Sequence, residues 1–150
     1  MKLIVHELKA VNISQEIETE DEVIFLEALR PHLYKHNNPA GSLYLEIRSE
    51  ADVLLFTSET LTIQSIHDAA GAAYFHGPTR FYIDASLAPN TKYNIILKST
   101  GYTFNESAYI GWCNGYDLKV VENSYTPGGD PGDALIVEFW ERKKVKKGIN

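Results

Sequence analysis

The chain has one cysteine and one methionine in 150 residues. With Cys113 alone, an intramolecular disulfide is impossible, and so is any multi-cysteine zinc site. Charge of one sign is also short: 14 Lys and Arg face 20 Asp and Glu, a formal net charge of −6. Nucleic acid is therefore disfavoured as a partner, since phosphate neutralisation needs a positive face. No apolar run approaches the ~20 residues that span a bilayer, so no membrane partner is expected. Met1-Lys-Leu-Ile-Val offers only three apolar residues before His6 and Glu7, so no secretory leader is visible. The expectation is a soluble protein made and kept in the cytosol, or built into something assembled there. Catalytic signatures are missing too: there is no Gly-x-Ser-x-Gly elbow, phosphate loop or His-Glu-x-x-His. Carboxylate pairs that meet in space are invisible at this level, but a small domain without such motifs is expected to bind rather than catalyse.

Aromatics and alternation are plentiful. Nine Tyr, six Phe and two Trp suit the pleated surface of strands. Leu43, Leu45 and Ile47 alternate with Tyr44, Glu46 and Arg48, and Val53-Leu-Leu-Phe56 follows a turn-like spacer, so residues 42–57 read as a hairpin. The same period continues in Leu61, Ile63 and Ser65. It recurs as Phe81 and Ile83 against Tyr82 and Asp84, and as Tyr93, Ile95 and Leu97 against Asn94, Ile96 and Lys98. It closes with Leu135, Val137 and Phe139 against Ile136, Glu138 and Trp140. Residues 109–113 read as a short strand. Residues 22–29 fit strand or helix, and Val23-Ile-Phe-Leu favours strand. A short helix is possible only over residues 65–73. Pro, Gly and Asn clusters at 37–41, 88–90, 114–115 and 126–133 supply turns. Short strands punctuated this way predict an all-β, antiparallel β-sandwich of a single domain over residues 1–141, followed by a basic tail over 142–150.

The order of these pieces resembles the jelly-roll, carbohydrate-binding-module-like domains of bacterial surface proteins and phage virion proteins. The resemblance rests on Gly41-Ser-Leu-Tyr-Leu-Glu-Ile-Arg48, on Leu55-Phe-Thr-Ser-Glu59, and on the aromatic strand, turn and aliphatic strand from Phe81 to Leu97. It continues through Tyr109-Ile-Gly-Trp112 and the closing Ala134-Leu-Ile-Val-Glu-Phe139. It spans about residues 10 to 140 as pattern rather than identity. It implies a jelly-roll sandwich and a non-enzymatic virion structural protein of a phage-like virus, as an accessory or decoration domain of capsid or tail. Such a protein is assembled in the host cytoplasm, resides in the virion, and has other virion subunits as partners in a homo- or hetero-oligomeric assembly. The alternative is a carbohydrate-binding module that recognises a surface glycan. The missing leader and the basic tail fit the first reading better. Fold likeness alone fixes neither.

Tyr109, Trp112, Asn114, Tyr116 and Asp117 are the candidate glycan site. Sugars present flat apolar faces to aromatics and hydroxyls to amides and carboxylates. The competing reading makes Trp112 or Tyr109 a core plug and Asn114-Gly115 a tight turn. Arg142, Lys143, Lys144, Lys146 and Lys147 are candidate partner contacts, because such a charge block steers association with an acidic surface; a solvated tail is the plainer alternative. His67, Asp68 and His76 are metal-ligand types at a spacing that matches no known motif, and loop residues are the expectation. Asp130 and Asp133 fall short of the 6–8 oxygens that calcium takes. Cys113 lacks an assignable base and is expected to be a small buried hydrophobe. No metal and no cofactor are expected.

Overall fold

A computed structural model describes residues 4–7, 12–66, 77–114 and 137–142. Within them lie eleven strands and one short 3₁₀ turn: β1 (Ile4–Glu7), β2 (Asn12–Glu18), β3 (Ile24–His36), β4 (Ser42–Ser49), β5 (Leu54–Thr57) and β6 (Leu61–Thr62), then the 3₁₀ turn (Ile63–Ser65), β7 (Gly77–Pro78), β8 (Phe81–Leu87), β9 (Lys92–Thr100), β10 (Tyr109–Asn114) and β11 (Val137–Glu141). Every strand pairing is antiparallel. One six-stranded sheet follows the path β1-β10-β3-β11, with β7 and β8 also on β3; a five-stranded sheet follows β2-β9-β4-β5, with β6 also on β4. The two sheets pack into a β-sandwich, as the alternation predicts.

The reason is legible in single strands. In β8, Phe81, Ile83, Ala85 and Leu87 are buried while Tyr82, Asp84 and Ser86 are exposed. In β9, Tyr93, Ile95 and Leu97 point inward, and in β4 so do Leu43, Leu45 and Ile47. Because side chains alternate with period two, each strand gives one face to the shared interior and one to the outside. Trp112, Phe81 and Ile17 are among the largest side chains fully enclosed there. Within the segment 22–29, residues 24–29 are indeed strand, the first part of the 13-residue β3.

β3 organises its sheet by filling each edge twice. On one edge β10 pairs with residues 33–36, then β11 with residues 26–31. On the other, β7 pairs with 32–33 and β8 with 24–29. Pro31 sits at the changeover, where its missing N–H interrupts the ladder least; its carbonyl still accepts from Thr79 N at 2.9 Å.

One expectation needs correction. Alternation does not run through Ser65: the strand stops at Thr62, and Ile63–Ser65 coil into a 3₁₀ turn. Ser65 Oγ donates to Thr62 O at 2.7 Å, a local bond that competes with strand pairing. Ile63 remains fully buried, so the turn keeps the apolar residue inward without extending the sheet. The possible helix over 65–73 lies mostly outside the described residues.

Tight turns fix the strand ends. Gly41 has φ +119°, and a Cβ there would stand 2.8 Å from Thr100 O and 2.9 Å from Tyr102 N. Only glycine fits that conformation and that gap. At the other end of the sandwich, Thr19 N donates to Thr91 O at 3.0 Å, and Asn90 N to Glu20 O at 2.7 Å. These bonds lock the turn before β3 to the turn before β9. Arg48 clamps the β4–β5 turn: its Nε donates to Glu46 Oε1 at 2.9 Å and its Nη1 to Asp52 O at 3.1 Å. The bond to Glu46 raises the guanidinium pKa above its ordinary value, so Arg48 is charged at any working pH.

Candidate binding face

The residues proposed from sequence as a glycan site do not form one on the described residues. Trp112 on β10 has 0% exposure and belongs to the core, so its indole offers no face to a ligand. Tyr109 is half-buried. Its ring stacks on His36 at 4.9 Å between centroids and meets Phe104 at 5.8 Å. Asn114 ends β10, with its backbone paired to Ile4, while Tyr116 and Asp117 lie outside the described residues. The core-plug reading of Trp112 is the one its position supports. The physical reason is register: Trp112 falls opposite Leu33, a buried position of β3, and shares its inward side. Cys113 pairs with Val5 in the backbone ladder.

Of the basic segment, Arg142 is described and Lys143, Lys144, Lys146 and Lys147 are not. Arg142 follows β11, donates its N–H to Phe25 O at 2.8 Å, and its Nη2 contacts Asp84 Oδ1. His67, Asp68, His76, Asp130 and Asp133 also lie outside the described residues. Among the described residues, no group of three or more His, Cys, Asp or Glu could hold a metal. No described helix is long and apolar enough to cross a membrane.

A different surface gathers chemistry: the outer face of β8, β3 and β11. Tyr82, Ala28 and Trp140 stand side by side across the three strands. Ala28, between the two rings, has 0% exposure and is covered. Tyr82 is 45% exposed and Trp140 40%. Two strand spacings put their Cα atoms about 10 Å apart.

Arginines complete the surface. The Arg80 guanidinium lies 4.5 Å from the Tyr82 ring centroid and 5.7 Å from that of Trp140, and Arg30 lies 4.8 Å from Trp140. Each such contact at an exposed site stabilises by about 0.5–1 kcal/mol. Glu138 on β11 approaches Arg30 at 3.5 Å and also contacts His32 Nε2. Exposed ion pairs of this kind add little stability, about 0–1 kcal/mol, so the effect here is to orient Arg30. Arg80 has no carboxylate partner among the described residues.

Sequence reasoning passed over Tyr82, Trp140, Arg80 and Arg30. A signal was present: Tyr82 and Trp140 occupy the polar register of strands whose other register is buried. A large aromatic in an outward position costs exposed apolar area and stands out for that reason.

No protein-family model matches the chain, and no curated protein matches its sequence. The face itself carries the functional reading.

Proposed function

We propose that this chain is a non-enzymatic assembly domain: a virion structural protein of a phage-like virus, acting as an accessory or decoration domain of capsid or tail. It docks on neighbouring subunits through the outer face of β8, β3 and β11. The observation that carries this reading is the exposed Tyr82–Trp140 pair with Arg80 and Arg30 against its rings. Trp, Tyr and Arg are the residues that dominate the energetics of protein interfaces, because each buries a large, stiff surface and retains directional donors. The order of strand motifs along the chain supports the virion class. A rigid sandwich repeated by particle symmetry turns modest contacts into avidity.

A carbohydrate-binding module is the second reading, favoured by the same pair of exposed rings across a flat sheet. Guanidinium groups lying against both rings compete for the faces that sugars would stack on, which ranks this reading below assembly.

The test replaces Tyr82 and Trp140 by alanine together and measures co-sedimentation with particles, beside a glycan array for the unaltered chain. Loss of incorporation with a silent array is expected. Undiminished incorporation would remove the docking role, and array binding lost in the double variant would favour the glycan reading.

A further inference from the structure

The ring of Tyr82 serves a partner only while its strand holds still, and the ladder to β3 is interrupted at this point. Tyr82 pairs with Ala28 and Ala85 with Leu26, so Glu27 alone faces both Ile83 and Asp84. One extra residue on β8 makes a bulge directly after Tyr82. A bulge breaks the ladder, bends the strand and re-aims nearby side chains. Among the described strands, β8 pairs with β3 alone. Tyr82 therefore sits where β8 would be freest to twist.

Glu59 holds Tyr82 from the other side. Its N–H donates to Tyr82 O at 3.0 Å, and its Oε2 accepts from Tyr82 N at 2.7 Å. The N–H and C=O of one strand residue point to the same side, and here a single residue satisfies both. Glu59 does for Tyr82 what a neighbouring strand would do, with a carboxylate in place of one carbonyl. Hydrogen bonds to a charged acceptor are about twice as strong as neutral ones. The clamp is itself anchored. Ser58 is buried. Its N–H donates to Leu45 O at 2.9 Å, and its hydroxyl accepts from Leu45 N and donates to Glu59 O, both at 2.8 Å. The path from Leu45 through Ser58 and Glu59 ties β4 of the five-stranded sheet to β8 of the six-stranded one.

We infer that Glu59 is a positioning residue of the docking face: it fixes Tyr82 beside the bulge, so that the Tyr82 and Trp140 rings share Arg80 and meet a partner together. This rests on reading the face as the docking surface. The Arg80 guanidinium lies 4.5 Å from the Tyr82 centroid and 5.7 Å from that of Trp140. Both distances fall inside the limit of about 6 Å for such contacts, the second only just. Trp140 belongs to β11, on the opposite edge of β3, so a twist of β8 would move one ring and leave the other. Rings already fixed in place bind without first losing the freedom of loose side chains. The clamp also occupies the two backbone groups that Tyr82 would otherwise offer at the edge of β8. A partner cannot add a strand there and approaches the rings instead.

The experiment compares Glu59→Ala, Glu59→Gln and Glu59→Asp in the full chain, by amide exchange at Tyr82 and by co-sedimentation with particles. Affinities are measured well below the melting temperature of each variant, so a mere loss of stability leaves them unmoved. Glu59→Ala removes the acceptor. Exchange at Tyr82 should quicken, and particle affinity should fall about tenfold, the equivalent of one hydrogen bond to a charged group. Glu59→Gln keeps an oxygen acceptor at the same reach and should recover most of that affinity. Glu59→Asp keeps the charge one methylene short of Tyr82 N and should behave like the alanine variant. The opposite ranking, with Asp intact and Gln impaired, overturns the clamp, because charge and not the bond would then be acting. Unaltered exchange at Tyr82 in Glu59→Ala overturns it as well. Should Glu59→Ala fail to fold, the Gln and Asp variants carry the same contrast. If exchange quickens while affinity holds, and the Tyr82 and Trp140 double variant still loses incorporation, the positioning role is overturned and the docking face stands. If the double variant also keeps incorporation, the docking reading falls and the positioning role falls with it.

Discussion

Replacing Trp112 by alanine separates a core role from a ligand role at one residue. The indole is fully enclosed, with Leu33 beside it on one strand and the β1 backbone paired on the other. Removing it forfeits its transfer free energy and leaves a cavity that a strand flanked on both sides cannot collapse, a loss of about 3–5 kcal/mol. Domains of this size have only about 5–15 kcal/mol of stability in total. With a midpoint change of about 2–4 °C per kcal/mol for chains near this length, the melting temperature should drop by about 6–20 °C. Urea titration followed by far-UV circular dichroism is the assay, because it is blind to the loss of one fluorophore. An equal m-value would confirm that stability, and not the unfolded state, has changed. A loss below about 1 kcal/mol, in the range of an exposed substitution, would refute the placement of the indole in the core. So would an unaltered melting curve accompanied by loss of glycan binding, since that pattern belongs to a surface platform.

Two further substitutions test the frame around the face. Gly41→Ala should destabilise by about 2–4 kcal/mol in the same titration, since the methyl group meets backbone atoms of residues 100–102 and φ is positive there; an effect within about 0.5 kcal/mol would show that the turn relaxes freely. Ser58→Ala should lose about 1–3 kcal/mol, because Ser58 Oγ accepts from the buried Leu45 N–H at 2.8 Å and alanine leaves that donor unpaired. Amide exchange at Leu45 should quicken with it, and unchanged protection would mean that another acceptor had taken over.

How far the sequence reached differs from element to element. Residues 42–57 were readable as a hairpin because Leu43, Leu45 and Ile47 obey period two without interruption, and β4 and β5 pair as expected. Residues 61–65 misled for the same reason: Leu61, Ile63 and Ser65 satisfy the alternation, yet a serine hydroxyl returning to Thr62 O coils the chain. The full extent of β3 was hidden by Pro31, a residue that normally marks a strand end and is tolerated here only because neighbouring strands change over at that point. The site was less legible than the fold. Trp112 and Trp140 are both aromatic residues in β-prone runs, and their chemistry is identical on paper. Register alone sends one to 0% exposure and leaves the other at 40%.

The amino-acid order by itself determined the class of architecture, because alternation is a local property and two sheets with one apolar face each must cover one another. It also determined the acidic balance and the lack of catalytic motifs. Which aromatics face outward together, and that Arg80 and Arg30 come to lie against them, was decided only by tertiary structure. Arg30 is 110 residues from Trp140 in sequence, and their contact depends on β3 pairing with β11 in one register out of many. Pairing between distant strands is set by the summed burial of the whole interior, which no single segment encodes.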